Sequence, residues 1–357
     1  MFQTVHLGSP KGPNREKPHI RFGKKVPTRC NAFLELCLEN PALALYVRVL
    51  VVTESVWHPT TGSLWTGHSA SLALLVYSLK NLKGFAFRTE GLTVGAPHYP
   101  SRIAAFSFIL GKPDMDWIHL SYLHFGPGSN FFRTFSQAAP LRLLRISDLS
   151  IDWRHQVLEI AGFVPVKIDT LAVSFDIKRD MEKPFITIIL QHRPPLFDTY
   201  HIRCLQLDVY HPAEDMDRVY ARLSLLPSVE ELDIRIVPGN KALHWRHRKW
   251  RRPIREHFDC SKSLHMSQLK EISFRMRDHH GVDRVAMVFA RGPLAFIDAQ
   301  EWGRVDAGFA RAAVFPILEK VKISFGKNSF TGSELEWEDK FKAAMPKIAD
   351  IVHVRST

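Results

Sequence analysis

The sequence predicts an α/β fold, an irregular solenoid in which parallel strands form a ladder and helices lie outside it. Two observations predict this fold. A six-residue pattern of apolar and spacer positions recurs ten times, and most intervals between these hexamers hold a stretch with helical spacing of apolar residues. Helix and strand alternating roughly every 35 residues is typical of an α/β repeat array. An ordinary doubly wound α/β domain also alternates in this way and is the alternative.

Each hexamer reads apolar, two spacers, apolar, one spacer, apolar. The hexamers are FQTVHL (2–7), VRVLVV (47–52), LKGFAF (82–87), LSYLHF (120–125), LRLLRI (141–146), IDTLAV (168–173), IRCLQL (202–207), VEELDI (229–234), LKEISF (269–274) and LEKVKI (318–323). Their second position is polar in all ten and charged in eight. Because side chains alternate along a strand, the last three positions point two residues to the core and one outward.

Amphipathic stretches precede several hexamers, and their apolar residues recur every three or four positions. They lie at 71–79, 130–137, 216–226, 308–315 and 335–345. Pro227 and Pro316 follow two of them, and a proline cannot continue a helix. The chain therefore predicts helix, short turn and strand as its repeating unit.

Several phrases resemble a known family. LLPSVEELDI (225–234), VFPILEKVKI (314–323), MFQTVHL (1–7) and CNAFLELCLENPALALYVRVLVV (30–52) are similar to F-box/leucine-rich-repeat-like proteins abundant in mushroom-forming fungi. The resemblance covers most of the chain and implies one irregular leucine-rich-repeat-like domain over 1–357, without the family's N-terminal F-box. It further implies the substrate-binding part of an F-box-type ubiquitin-ligase adaptor.

The net charge of +12 lies in two segments. Residues 11–30 and 241–258 each carry seven Lys/Arg and one Glu, so the rest of the chain is neutral. We expect a basic, proline-containing loop at 8–30 and a basic insertion between repeats at 237–265. In the insertion, tryptophan indoles alternate with Lys and Arg cations, and such side chains could contact nucleic acid. Nucleic-acid binding is therefore the alternative function. The residues are Trp245, Arg246, Arg248, Lys249, Trp250, Arg251 and Arg252.

The main prediction is a non-catalytic scaffold that recognises another protein through the outward spacers of its strands. The candidate partner-binding residues are His124, Arg145, Gln206, Glu231, Asp233, Glu271, Ser273, Lys320 and Lys322. Their charges are mixed, which suits a protein partner better than a polyanion. The oligomeric state and the identity of the partner are left open.

No complete catalytic or metal-binding pattern is present, so we predict neither an enzyme nor a cofactor. The segment Gly67-His68-Ser69-Ala70-Ser71 approaches a nucleophile elbow but ends in serine where that motif has glycine. A hydrolase that uses His68, Ser69 and an acid is the remaining enzymatic alternative. Four cysteines without a CxxC pair, no secretory signal and no bilayer-length apolar run predict a cytoplasmic or nuclear protein without membrane contact.

Overall fold

A computed structural model describes residues 3–8, 29–55, 71–90, 100–121, 123–147, 150–152, 163–175, 195–209, 223–236, 266–276, 299–311, 313–325 and 333–356. The chain divides into two compact units, Met1–Lys167 (unit 1) and Ile168–Thr357 (unit 2). Each unit combines parallel strands with helices, so the predicted α/β class is confirmed. A repeat array can also divide into groups of neighbouring repeats, and one repeat domain over 1–357 stays a prediction.

The main ladder of unit 1 consists of parallel strands in chain order. The described elements are β1 (Thr4–Gly8), α1 (Arg29–Glu39), α2 (Pro41–Tyr46), β2 (Val49–Ser55), α3 (Ser71–Ser78), β3 (Gly84–Glu90), α4 (Pro100–Leu110), β4 (Trp117–Ser121), β5 (His124–Pro127), α5 (Gly128–Phe135), β6 (Leu141–Ser147) and β7 (Ser150–Asp152). The ladder order is β1-β2-β3-β4-β6, while β5 and β7 form a separate parallel pair. Helix α1 contacts α3, α3 contacts α4, and α4 contacts α5.

Unit 2 also combines a ladder of parallel strands with helices. Its described elements are β8 (Ile168–Phe175), β9 (Cys204–Val209), β10 (Glu231–Ile236), β11 (Glu271–Met276), α6 (Ala299–Phe309), β12 (Lys320–Phe325), α7 (Glu334–Ala344), a 3-10 turn (Ala349–Ile351) and β13 (Val352–Ser356). The six strands are parallel and neighbour one another in chain order. Ser333 caps α7, because its hydroxyl accepts the backbone N–H of Glu336.

Nine of the ten hexamers coincide with strands of the two ladders, as predicted. The prediction of a ladder strand at LSYLHF (120–125) was wrong, because the strand of the ladder in that interval is β4, which begins several residues earlier. Its buried positions are Met115, Ile118 and Leu120, so the pattern is MDWIHL at 115–120. Strand β13, whose buried residues are Val352 and Val354, was not predicted from the sequence.

The helix predictions agree with the structure at three of the five positions. The stretches 71–79, 130–137 and 335–345 overlap α3, α5 and α7. The prediction at 308–315 was wrong, because α6 ends at Phe309 and turns follow it from 313 onward. Most of 216–226 lies outside the described residues. The loop expected at 8–30 begins at the end of β1 and ends in α1, and its residues 9–28 also lie outside them.

The core lies under the fourth and sixth hexamer positions, as the alternation predicted. These residues are almost fully buried; in four strands they are Leu50 and Val52, Phe85 and Phe87, Leu205 and Leu207, and Leu232 and Ile234. The first hexamer position is buried as well in the turns that enter the strands, as at Leu82 and Val229. The apolar triplet therefore fixes three contacts of each repeat with the core.

In unit 2 the charged second positions of the hexamers form a row of alternating sign. The row reads Asp169, Arg203, Glu230, Lys270 and Glu319, on consecutive rungs. Lys270 Nζ lies 2.7 Å from Glu230 Oε2, and this contact lowers the pKa of Glu230 and raises that of Lys270. In unit 1, Arg142 binds both carboxylate oxygens of Asp116 at 2.7 and 2.9 Å. Opposite charges on adjacent rungs therefore stabilise the observed order of the strands relative to other orders.

Replacing Arg142 with glutamine is expected to lower the free energy of unfolding at pH 7 by about 0.5–1 kcal/mol, since both partners are partly solvated. The hydrogen bond from Arg142 lowers the pKa of Asp116. A depressed native pKa means that the contribution is present above the unfolded value of about 4 and is lost as the pH falls through the native value. Urea unfolding of both proteins between pH 7 and pH 2 measures this. A stability difference that persists unchanged at pH 2 would contradict the assignment.

Candidate partner-binding faces

The strand face opposite the core is the candidate surface in each unit. In unit 2 the outward positions of β9, β10, β11 and β12 stand side by side in register. They form a first row of Cys204, Glu231, Glu271 and Lys320, a second row of Gln206, Asp233, Ser273 and Lys322, and a third row of Asp208, Arg235, Arg275 and Ser324. Seven of the nine sequence-predicted contact residues lie on this one face.

A network around Arg235 occupies the middle of this face. Arg235 donates from Nε to Asp233 Oδ2 and from Nη2 to Gln206 Oε1, both at 2.9 Å, and its Nη1 lies 3.7 Å from Asp208 Oδ1. Arg275 Nε lies 2.9 Å from Asp233 Oδ1, but its N–H is not directed at that oxygen, so this contact is an ion pair without a hydrogen bond. Asp233 and Arg235 are each less than a tenth exposed.

Burial changes the role of two predicted residues on this face. Asp233 and Ser273 are buried, at 5% and 4% exposure, and do not present a free surface to a partner. Asp233 instead holds two arginines in place. Gln206 likewise serves Arg235, so these side chains organise the face while their neighbours contact solvent.

The remaining predicted residues of unit 2 are accessible. Glu231 is exposed, and Lys320, Lys322 and Glu271 are partly exposed. Lys322 Nζ lies 2.5 Å from Glu271 Oε1, linking β12 to β11.

Cys204, at the start of β9, has its pKa raised to about 11 by burial and by the nearby carboxylates of Glu231 and Asp233. Its thiol is therefore protonated and unreactive at neutral pH.

Unit 1 presents a different strand face, which is largely apolar. Its outward positions on β2, β3, β4 and β6 carry part-exposed apolar side chains, namely Val49, Val51, Ala86, Trp117 and Leu143. Sequence reasoning missed this set, because only polar spacers were selected. The signal was available, since these residues occupy the third and fifth hexamer positions once the rung at 115–120 is recognised. Arg145, one of the two predicted residues in this unit, borders the set and is partly exposed.

Trp117 is held on this face by a glycine in the next strand. Gly84 is opposite Trp117 in register, and a Cβ at Gly84 would overlap the indole ring. The absence of a side chain at Gly84 thus lets the ring lie against strand β3. This explains a glycine at the first residue of β3, since glycine otherwise destabilises a strand.

Gly84→Ala is expected to push the indole of Trp117 off the strand and to lower the free energy of unfolding by about 1–2 kcal/mol, the usual cost of overpacking. A double-mutant cycle tests the cause. In a Trp117→Ala background the same change is expected to be neutral or stabilising, because alanine is then unobstructed. An equal loss in both backgrounds would contradict the contact. Urea unfolding supplies all four free energies.

A histidine and two serines lie at the edge of the unit 1 face. Ser121 Oγ lies 2.7 Å from His119 Nε2, and Ser147 Oγ lies 3.4 Å from the same nitrogen. A serine hydrogen-bonded to an imidazole is also the arrangement of an activated nucleophile. Both serines are buried, and Ser121 is only 3% exposed, so neither hydroxyl is open to a substrate. The geometry therefore favours a structural role, in which these polar side chains form hydrogen bonds with one another, over catalysis.

The other predicted residues fall elsewhere. His124 lies on β5, which pairs with β7 apart from the main ladder, so it is not an outward spacer of that ladder. The prediction failed because the hexamer was placed at 120–125, whereas the strand of the ladder follows the pattern at 115–120. His119 occupies the hexamer position that had been assigned to His124. The basic segment 237–265, with all seven residues of the nucleic-acid alternative, lies outside the described residues, as do His68 and Ser69.

Among the described residues, no group of three or more His, Cys, Asp or Glu side chains is placed to hold a metal ion. In the same part of the chain, every helix is too short or too polar to cross a bilayer. The fold and the two faces define an α/β protein whose parallel ladders present side chains opposite the core. In comparisons with known proteins, no family model matches the chain and no curated protein matches it.

Proposed function

We propose that this chain is a non-catalytic scaffold that recognises a partner protein through the outward strand faces of its ladders. The apolar face of unit 1 is the observation that carries the proposal. Val49, Val51, Ala86, Trp117 and Leu143 are partly open to solvent, and Arg145 stands at their border. Aromatic, aliphatic and arginine side chains in one patch with polar neighbours are the composition of protein interfaces.

The finer architecture is part of the proposal. A leucine-rich-repeat-like solenoid is supported by rungs that follow chain order in both units and by the repeated LxxLxL pattern. The resemblance of LLPSVEELDI and VFPILEKVKI to fungal F-box/leucine-rich-repeat-like proteins supports a more specific role. That role is binding a substrate protein for an F-box-type ubiquitin ligase in the cytoplasm or nucleus.

Quantitative affinity capture with the full chain tests the scaffold. Val51→Arg with Leu143→Arg places two charges on the unit 1 face. Leu38→Arg with Leu74→Arg is the matched control, because both leucines are exposed on the helices α1 and α3. We expect one or more proteins to be captured by wild type and control and lost from the face variant, with all three proteins folded by circular dichroism.

Two results would count against this proposal. The first is an identical set of captured proteins for all three variants. The second is capture that disappears after nuclease treatment and falls steeply with salt, which would favour nucleic-acid binding by residues 241–258. That alternative is tested directly by exchanging Arg246, Arg248, Arg251 and Arg252 for glutamine and measuring the salt dependence of binding to a random duplex.

A further inference from the structure

The outward face of unit 2 is divided by charge along its ladder. On β9 and β10 its charged side chains are Asp208, Glu231, Asp233 and Arg235, so these strands carry a net charge of −2. On β11, β12 and β13 they are Arg275, Lys320, Lys322, Arg355 and Glu271, a net charge of +3 without counting His353. The face is therefore acidic on its first strands and basic on its last three.

Two of the four cations on the basic strands are already engaged. Arg275 pairs with Asp233, and Lys322 pairs with Glu271. Lys320 and Arg355 have no carboxylate within ion-pair distance among the described residues, and Arg355 is exposed. Neither cation thus has an ion-pair partner in the described part of the chain, and Glu271, which is opposite Lys320 in register, is paired with Lys322 instead.

The spacing of these two cations fits an extended chain. Lys320 begins β12, and Arg355 is aligned with Ser324 four residues further along the strand direction. Four strand residues span about 13 Å, and neighbouring strands lie about 4.8 Å apart. An extended segment with carboxylates four residues apart reaches both cations, with Lys322 and His353 between them.

The edge of β13 does not offer the same opportunity. The backbone N–H of Val354 donates to Glu338 Oε2 of α7 at 3.2 Å, and that carboxylate shields this part of the edge from a further strand. A partner segment that binds here therefore lies on the face and uses its side chains. Strand addition is disfavoured at this position.

We propose that the surface formed by Arg275, Lys320, Lys322 and Arg355 binds an acidic, extended segment of the partner protein. This inference rests on the proposed scaffold function and names the chemistry of one part of its partner. A duplex is a poorer fit, because its continuous phosphates would also meet Glu231, Glu271 and the acidic strands beside them. A segment with localised acidic residues avoids that repulsion.

Fluorescence polarisation with a labelled 12-residue peptide tests the proposal on the full chain. The probe carries glutamates at two positions four residues apart, and a second probe has glutamine at both. Lys320→Glu with Arg355→Glu reverses the charges of these two cations. Lys80→Glu with Arg133→Glu makes the same charge change at exposed residues of unit 1 and is the control. A random DNA duplex is measured in parallel.

We expect the glutamate probe to bind wild type and control equally within twofold, and to bind the Lys320/Arg355 variant at least tenfold more weakly. The glutamine probe should bind weakly to all three. Equal binding to wild type and the Lys320/Arg355 variant would overturn the proposal, as would a duplex that binds more tightly and competes with the peptide. The Val51→Arg, Leu143→Arg protein should retain the acidic probe, so failure of this site and failure of the scaffold function are separable.

Discussion

Arg235→Ala is expected to lower the free energy of unfolding by about 3–5 kcal/mol, because it removes the cation from a buried charged network. Asp233 and Asp208 are at most 9% exposed, and both contact the guanidinium. After the substitution, their carboxylates would stay buried with less compensation, and Gln206 would lose its donor. Urea unfolding of the full chain, followed by circular dichroism, measures the change.

Two further variants separate loss of charge pairing from loss of an arginine as such. Arg203→Ala removes an exposed arginine just before β9 and should change stability by no more than about 0.5 kcal/mol. Combining Arg235→Met with Asp208→Asn and Asp233→Asn removes the unpaired charges and should recover most of the loss. If Arg235→Ala alone costs less than 1 kcal/mol, the carboxylates reach water and the network does not organise the face.

The ladder was largely predictable from the sequence because its core contacts recur in every repeat. The three apolar residues of a repeat, such as Ile202, Leu205 and Leu207, lie within six consecutive residues. They are buried in the same way in most repeats. The rung at 115–120 was missed because its first apolar position is Met115, whereas all ten hexamers begin with Val, Ile, Leu or Phe, and LSYLHF matched the pattern by chance nearby. β13 was missed because a weakly apolar alanine precedes its two valines in the pattern.

The binding faces were less predictable because they depend on register between distant residues. Gln206 and Arg235 are 29 residues apart, and Glu271 and Lys322 are 51 apart, so no local pattern pairs them. Outward spacers were therefore treated alike, although Asp233 is buried among arginines and Glu231 is exposed. The alternating charges at the second hexamer position were visible, but their pairing became interpretable only once the order of the rungs was known.

Asp306→Ala is expected to cost about 3–4 kcal/mol, since one buried carboxylate oxygen holds the turn that leads into β13. Asp306 lies on α6 at 2% exposure, and its Oδ1 accepts the backbone N–H groups of Lys347 and Ile348 at 2.8 and 3.0 Å. Hydrogen bonds to a charged acceptor contribute about 1.5–3 kcal/mol each, and their loss leaves two N–H groups unpaired.

Asp306→Asn keeps an acceptor oxygen at nearly the same place and is the matched control, with an expected loss of about 1–2 kcal/mol. Amide hydrogen exchange adds a local measurement, because the two N–H groups should exchange faster in the alanine variant while those of Leu232 and Ile234 on β10 change less. Alanine and asparagine variants of equal stability would show that burial of the side chain, and not its acceptor, matters at this position. Faster exchange that is confined to residues 347 and 348 and their neighbours on β13 would show that this single contact with α6 stabilises the last rung of the ladder.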